Sequence, residues 1–524
     1  MAILRPLAIA LCAILVVGAG FEIVSRADSP SKHRKHVSAA TLAVAPAPTS
    51  PPVAVCGDSQ LLTGSADAPA NAVRVPSGDD QALTLNEANT IYWFAPGVHS
   101  LGNSQNDQII PADGDSYIGA PGAILSGRGI NDLAFTQHAK NVKVEYLTIE
   151  DFGPPGGNQN QGVVNADSGS GWTISHDTIE DNAGAGVMLG TSDVLTDNCL
   201  TKNQQYGFSS YTPSGPRNIT ITDNEVSYND TYNWEKKDPG CGCSGGAKLW
   251  DTHYATVADN YVHDNLDVGL WADGDNVGID FIDNYISNNF GEGVMYEIGY
   301  NGLIENNTFI HDAVGEGPEN PSFPTGAIYI SESGSSPAVA SRNASAFDIT
   351  GNVFKNNWSG VILWENSNRF CGPDSPDNAG TLCTLVAPTV ASPSTCVEPR
   401  IANSPLFADC RWRTMNVDIS DNTFDFSASA VGNGCEASKG CGFNGLFSEY
   451  GITAPYKAWV VPRDISDEQN NRFADNTYSG PWHFMAVAQG TVVSYAKWTH
   501  GFVDRSDGSD IHFDGQDQKS TFKS

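Results

Sequence analysis

The stretch FIDNYISNNFGEGVMYE, residues 281–297, is one full unit of the repeat from which the middle of this chain is built. Its first asparagine, Asn284, stands three residues after Phe281 and two before Ile286, and the same setting recurs at Asn198, Asn224, Asn260, Asn307, Asn352 and Asn422. The steps 224 − 198 = 26, 284 − 260 = 24 and 307 − 284 = 23 set the period. Periods of ~20–50 residues signal stacked repeats. The upstream column reads Leu195, Ile221, Val257, Phe281, Ile304, Ile349 and Ile419; the downstream column reads Leu200, Val226, Val262, Ile286, Phe309, Phe354 and Phe424. Both are apolar without a break.

A second asparagine column follows at Asn182, Asn203, Asn229, Asn265, Asn289 and Asn357, and several members lead four residues later to a glycine that opens an apolar stretch: Gly186, Gly207, Gly269, Gly293. Each unit therefore reads strand, Asn turn, short strand, Asn turn, glycine, strand. A 3.6-residue helical stripe would not leave single apolar residues punctuated this way. One such coil cannot bury its own apolar face, so coils must stack, with the asparagines hydrogen-bonding along the stack.

This pattern resembles the right-handed parallel β-helix proteins, the pectate-lyase-like superfamily, from Ser116 to Asn422, and the lead-in DSYIGAPGAILSGRG at residues 115–129 is similar to that group's first coils. The resemblance implies an all-β, single-stranded right-handed parallel β-helix (solenoid) with Asn-ladder turns and a disulfide-stapled insertion. It implies little about chemistry, because the superfamily hosts lyases, hydrolases, epimerases, adhesins and phage spikes.

The chain has 524 residues, a formal net charge of −32 and a pI near 4.4. Such charge opposes nucleic acid and anionic membrane surfaces, and argues mildly against a polyanionic substrate. Residues 1–28 read as a signal peptide or N-terminal anchor, because Arg5 precedes an apolar run from Leu7 to Phe21 that is short for a span. Residues 29–55, with the basic knot Lys32 to His36 and an Ala/Pro-rich tract, read as a disordered linker. A β-helix domain is expected over 56–430, with insertions at 230–245, 313–325 and 366–415, and a β-rich extension packed on the helix over 431–524. The reading is of a secreted or extracytoplasmic surface protein, a monomer needing no protein partner.

Ten cysteines follow Cys12, an even number in an exported chain, so disulfides are expected. Cys371, Cys383, Cys396 and Cys410 should bridge among themselves in the long insertion. Cys435 and Cys441 should form a local pair, and Cys241 and Cys243 sit in a shorter insertion. Their spacing does not suit zinc, so no metal is expected there.

Strand alternation can be counted from the glycine of each coil. Odd positions, including Val187, Phe208, Leu270, Val294, Ala327, Tyr296 and Tyr329, should point inward. Even positions should point out, among them Lys248, Trp271, Met295, Ile328, Ile362, Tyr211, Trp250, Asp273, Glu297, Ile330 and Trp364. Every charge falls on the outward set. Aromatic rings beside carboxylates suit a carbohydrate: sugar faces stack on the rings while an acid pair acts on the glycosidic bond. The loops from Asn229 to Gly246 and from Asp312 to Gly326 enter the same sheet edge, and the first supplies Trp234 as a wall. His263-Asp264 and His311-Asp312 read as turn substitutes.

The expected site therefore has Asp273 and Glu297 as catalytic carboxylates with Lys248 beside them, and Trp250, Trp271, Tyr211, Trp364 and Trp234 as substrate-binding rings for a polysaccharide or surface glycan. Neighbouring-coil spacing favours the retaining separation of about 5–5.5 Å. The polygalacturonase signatures are absent, so no catalytic residue carries over from that family. The rival is a polysaccharide lyase with Lys248 as base and Ca²⁺ held by the acids; the hydrolase needs no cofactor. A non-catalytic glycan binder is the third class.

Overall fold

The computed structural model describes residues 46–136, 139–156, 162–166, 169–212, 214–337, 339, 346–367, 412–452, 458–506 and 508–523. The export segment, most of the linker and the four insertion cysteines Cys371, Cys383, Cys396 and Cys410 lie outside the described residues.

Each coil contributes to three parallel stacks of short strands. The first stack holds strands such as Val194–Thr196 and Leu303–Glu305, the second strands such as Cys199–Thr201 and Tyr285–Ser287, and the third strands such as Phe208–Ser210 and Ala247–Trp250. Register is kept from coil to coil: Leu195 pairs with Ile221, Ile221 with Val257, Val257 with Phe281 and Phe281 with Ile304. These side chains are all buried. In the second stack Phe309, Phe354, Phe424, Tyr478 and Phe522 form one column of near-parallel rings, with centroids 4.4–5.0 Å apart.

Between the first and second stacks the chain turns on two residues. The first of them has positive φ and is Asp197, Asp223, Asp259, Asp283, Asn306, Gly351, Asp421 or Asp475, residue types for which the left-handed region costs little. The second is the ladder asparagine. Asn260 donates its backbone N–H and its side-chain amide to Asn284 Oδ1, both at 3.0 Å, and Asn284 does the same to Asn307 at 2.9 Å. Each amide also donates to a backbone carbonyl, as Asn284 Nδ2 does to Val257 at 2.8 Å. Each of these buried ladder amides thus has partners both along the stack and on the backbone. In the second ladder Asp312 takes an asparagine's place, accepting from Asn289 at 2.9 Å, and His311 and Asp264 occupy the positive-φ position. His311 and Asp312 are turn residues, as expected; of the other pair only Asp264 is in the turn, while His263 ends the strand Tyr261–His263 with its ring 3.2 Å from Glu225 and 2.7 Å from Asp264.

Two expectations change. The solenoid does not give way to an extension at residue 430: Phe443–Ser448 pairs in parallel with Val361–Glu365, and His483–Ala488 with Phe443–Ser448. Asn476 continues the ladder from Asn422 at 3.1 Å. Part of the presumed linker is also held. Pro48 accepts from Thr308 Oγ1 at 2.5 Å, Cys56 donates its N–H to Glu225 at 2.9 Å, and Cys56 is bridged to Cys199, so residues 48–56 cross the second stack. The other described disulfides are Cys241–Cys243 and the expected Cys435–Cys441. Three bridges fit an oxidising compartment. Among the described residues no helix is long and apolar enough to cross a membrane.

Two stability outcomes follow from the columns and the strap. Phe281→Ala should cost about 3–5 kcal/mol in chemical denaturation, because the ring is buried in the column. Removing the Cys56–Cys199 bridge, which closes 143 residues, should cost about 5 kcal/mol in the same measurement.

Candidate active site

The third stack carries the expected outward residues on consecutive coils. Lys248 pairs with Trp271 and Trp250 with Asp273; one coil on, Trp271 pairs with Met295 and Asp273 with Glu297. Because alternation and register hold here, Lys248, Asp273 and Glu297 emerge on one face. Lys248 Nζ lies 2.7 Å from Asp273 Oδ2, 2.5 Å from the Gly242 carbonyl oxygen and 3.9 Å from the centre of the Trp271 ring. A carboxylate, a carbonyl and a ring face are three partners suited to an ammonium ion.

The aromatic residues divide into two sets. Tyr211 and Trp250 are 42% and 41% exposed, with ring centres 6.3 Å apart, and form an open apolar ledge beside Asp273. Trp271 is only 9% exposed because Lys248 and the loop glycine Gly242 cover it. Trp234 is buried with its ring 4.8 Å from that of Tyr232, so it anchors its own loop instead of forming a wall. Trp364 packs against Phe323 and Tyr329 with ring separations of 5.8 and 6.3 Å. Of the five expected platforms, two face solvent.

Alternation counted from Gly326 fails by one residue. Val294 pairs with Ile328, Met295 with Tyr329, Tyr296 with Ile330 and Glu297 with Ser331. Ile328 and Ile330 are therefore core residues, while Tyr329 turns outward into a separate apolar cluster with Ile362, Phe443, Phe447 and Met485. A one-residue slip exchanges the faces of a strand, and burying two isoleucines decides which register wins. Ser331 consequently stands beside Glu297, with Oγ 3.3 Å from Oε1, and it also bonds the buried Glu332. The pattern Ile-Tyr-Ile-Ser could have revealed this, since it puts the isoleucines on one face without reference to the glycine.

Behind the site, at the entry edge of the same stack, both expanded loops are fastened over carboxyl groups. Ser244 of the first loop donates to Asp267, and Glu316 of the second hydrogen-bonds Glu292. Burial pushes the Glu316 carboxyl up to about 7, helped by Asp267, Glu235 and Glu319; burial also raises Glu292 and Asp267. Lys236 and Glu319 join the two loops at 3.5 Å on the surface. Among the described residues no group of three or more His, Cys, Asp or Glu is arranged to hold a metal ion.

Residues 161–339 match the family profile described as "Right handed beta helix region". The stacked coils are thus a right-handed parallel β-helix. No curated protein matches the chain in sequence. Among solved structures, the catalytic unit of a GH87 alpha-1,3-glucanase from Streptomyces thermodiastaticus is 12% identical, covering 88% of this chain and 70% of that one at a TM-score of 0.48. A mannuronic acid specific polysaccharide family 6 lyase from human gut microbiota is 13% identical, with 79% and 82% covered and a TM-score of 0.45. The mannuronan C-5 epimerase AlgE4 A-module of Azotobacter vinelandii is 14% identical, with 56% and 91% covered and a TM-score of 0.37.

The buried Glu316 carboxyl gives a pH dependence. Glu316 titrates higher in the folded chain than an ordinary carboxyl, so the folded state binds the extra proton. Its contribution is fully present below the ordinary carboxylate range and is lost as pH rises through about 7. The thermal midpoint should therefore fall as pH is raised from about 5 to about 8, and Glu316→Gln should flatten that slope in a melting series.

Proposed function

We propose that the protein is an exported glycoside hydrolase acting on a neutral or weakly acidic polysaccharide. The observation that carries this reading is the ion pair between Lys248 and Asp273 at 2.7 Å, in register with Glu297 and beside the exposed Tyr211 and Trp250. The ledge would stack an apolar sugar face, and the carboxylates would act on the adjoining glycosidic bond. Asp273, facing an ammonium, suits the role that needs a charged carboxylate; Glu297 is then the proton donor to the leaving oxygen.

Asp273 leans toward Lys248 on the preceding coil and Glu297 toward Ser331 on the following one. Leaning to opposite sides, the carboxyl groups would stand farther apart than the ~4.8 Å between neighbouring strands. Room for a water between carboxylate and sugar goes with inversion, where the groups are about 6.5–9.5 Å apart, in place of the retention that strand spacing alone suggests. Asp273 would act as base on that water. The lyase alternative requires Lys248 as a neutral amine, and all three of its contacts suit the ammonium instead. The hydrolase route calls for no cofactor. Export is supported by the three disulfides and by the apolar run at residues 7–21.

Asp273→Asn and Glu297→Gln should each lower turnover at least ~10²-fold with little change in melting temperature, as expected for general acid–base groups. Trp250→Ala should chiefly raise KM. Full activity in both carboxylate variants, with Lys248→Ala inactive and a requirement for calcium, would replace the hydrolase by the lyase.

A further inference from the structure

The loop over residues 230–245 contains a bridge between Cys241 and Cys243, two residues apart. Stabilisation by a disulfide grows with the length of chain it closes, so a bridge over a single intervening residue contributes far less against unfolding than Cys56–Cys199 does. What it does is confine Gly242. That residue holds φ at +56° and aims its carbonyl at Lys248 Nζ, 2.5 Å away. Two donors from the preceding coil also brace the small ring. Tyr206 donates its hydroxyl to the Gly242 carbonyl at 3.4 Å, and Gln205 donates its amide to the Cys243 carbonyl at 3.0 Å. Tyr206, Gln205 and Cys243 are all buried.

We propose that the Cys241–Gly242–Cys243 ring is a positioning device for the site: it clamps the Lys248 ammonium between the Gly242 carbonyl and the Trp271 face and so keeps it on Asp273. The inference rests on the hydrolase reading for its effect on turnover, though the clamp itself is a separate structural claim. A lysine side chain has four rotatable carbons and wanders unless held. Fixed on three sides, its charge stays at Asp273. With the bridge gone, the loop relaxes, the carbonyl swings off, and Asp273 loses a steady counter-charge.

The test is the double variant Cys241→Ser/Cys243→Ser, studied for kinetics and for the lysine ammonium resonances in nitrogen-edited NMR. In the wild-type protein Lys248 should give a slowly exchanging ammonium signal, assigned by its loss in Lys248→Met; in the double variant that signal should vanish. Turnover should drop at least ~10-fold with KM within about twofold, as for a misplaced catalytic group. Tyr206→Phe leaves the bridge intact and should move every readout in the same direction by less. Should the double variant prove too unstable, Tyr206→Phe decides the matter by the same signs. A retained ammonium signal with unchanged turnover would overturn the clamp. Full activity in Asp273→Asn would instead overturn the hydrolase reading, leaving the ammonium signal to judge the ring by itself.

Discussion

The hydrogen-bonded asparagine ladder is the constraint on which the rest of the structure depends. A short strand has little to stop it sliding by a residue, and a slide would exchange core and surface. Each ladder amide bonds both the next coil's asparagine and a backbone carbonyl, as Asn284 does with Asn307 and Val257, so every turn is fixed in height and phase. Apolar columns then stack like on like, and any outward residue meets its counterpart one coil on. Asp273 beside Glu297 is a consequence of that registration and needs no special local fold.

Function is grafted where the repeat is interrupted. The two expanded loops enter the same edge of the third stack and are tied down by hydrogen bonds to buried carboxyl groups, Ser244 to Asp267 and Glu316 to Glu292. Burying carboxyls in a chain of net charge −32 is costly unless protons are shared. The first loop covers Trp271 and Lys248 through Gly242, while Tyr211 and Trp250 stay open. A rigid face with one charged, partly shielded corner and one wet aromatic ledge results.

Most of the solenoid was legible because the repeat is expressed in residue types with narrow conformational tastes: Asp or Asn for the left-handed turn, Asn for the ladder, branched or aromatic residues for the columns. Asp312 and His311 could be placed in a turn although they break the consensus. The reading went wrong where the marker was weak. Gly326 does not open its strand in the way Gly293 does, so counting from it puts Ile328 and Ile330 outside and passes over Ser331. Trp234 and Trp271 were expected at the surface because the fold-back of a loop leaves no periodic trace. The continuation past residue 430 was hidden by spacing, since Asn422 and Asn476 are 54 residues apart. Likewise the strap over the second stack depends on Cys56 meeting Cys199 across 143 residues, a pairing that spacing cannot reveal.

The central claim, that this face hydrolyses glycosidic bonds with Asp273 and Glu297, is tested most directly by the chemistry of the product. Proton NMR of the first products from a panel of neutral and weakly acidic polysaccharides reads both the new chain end and its anomeric configuration. The account predicts a saturated product with a new reducing end, released with inverted configuration and without added metal. An unsaturated uronate end, or the absence of any new reducing end across the panel, would contradict it.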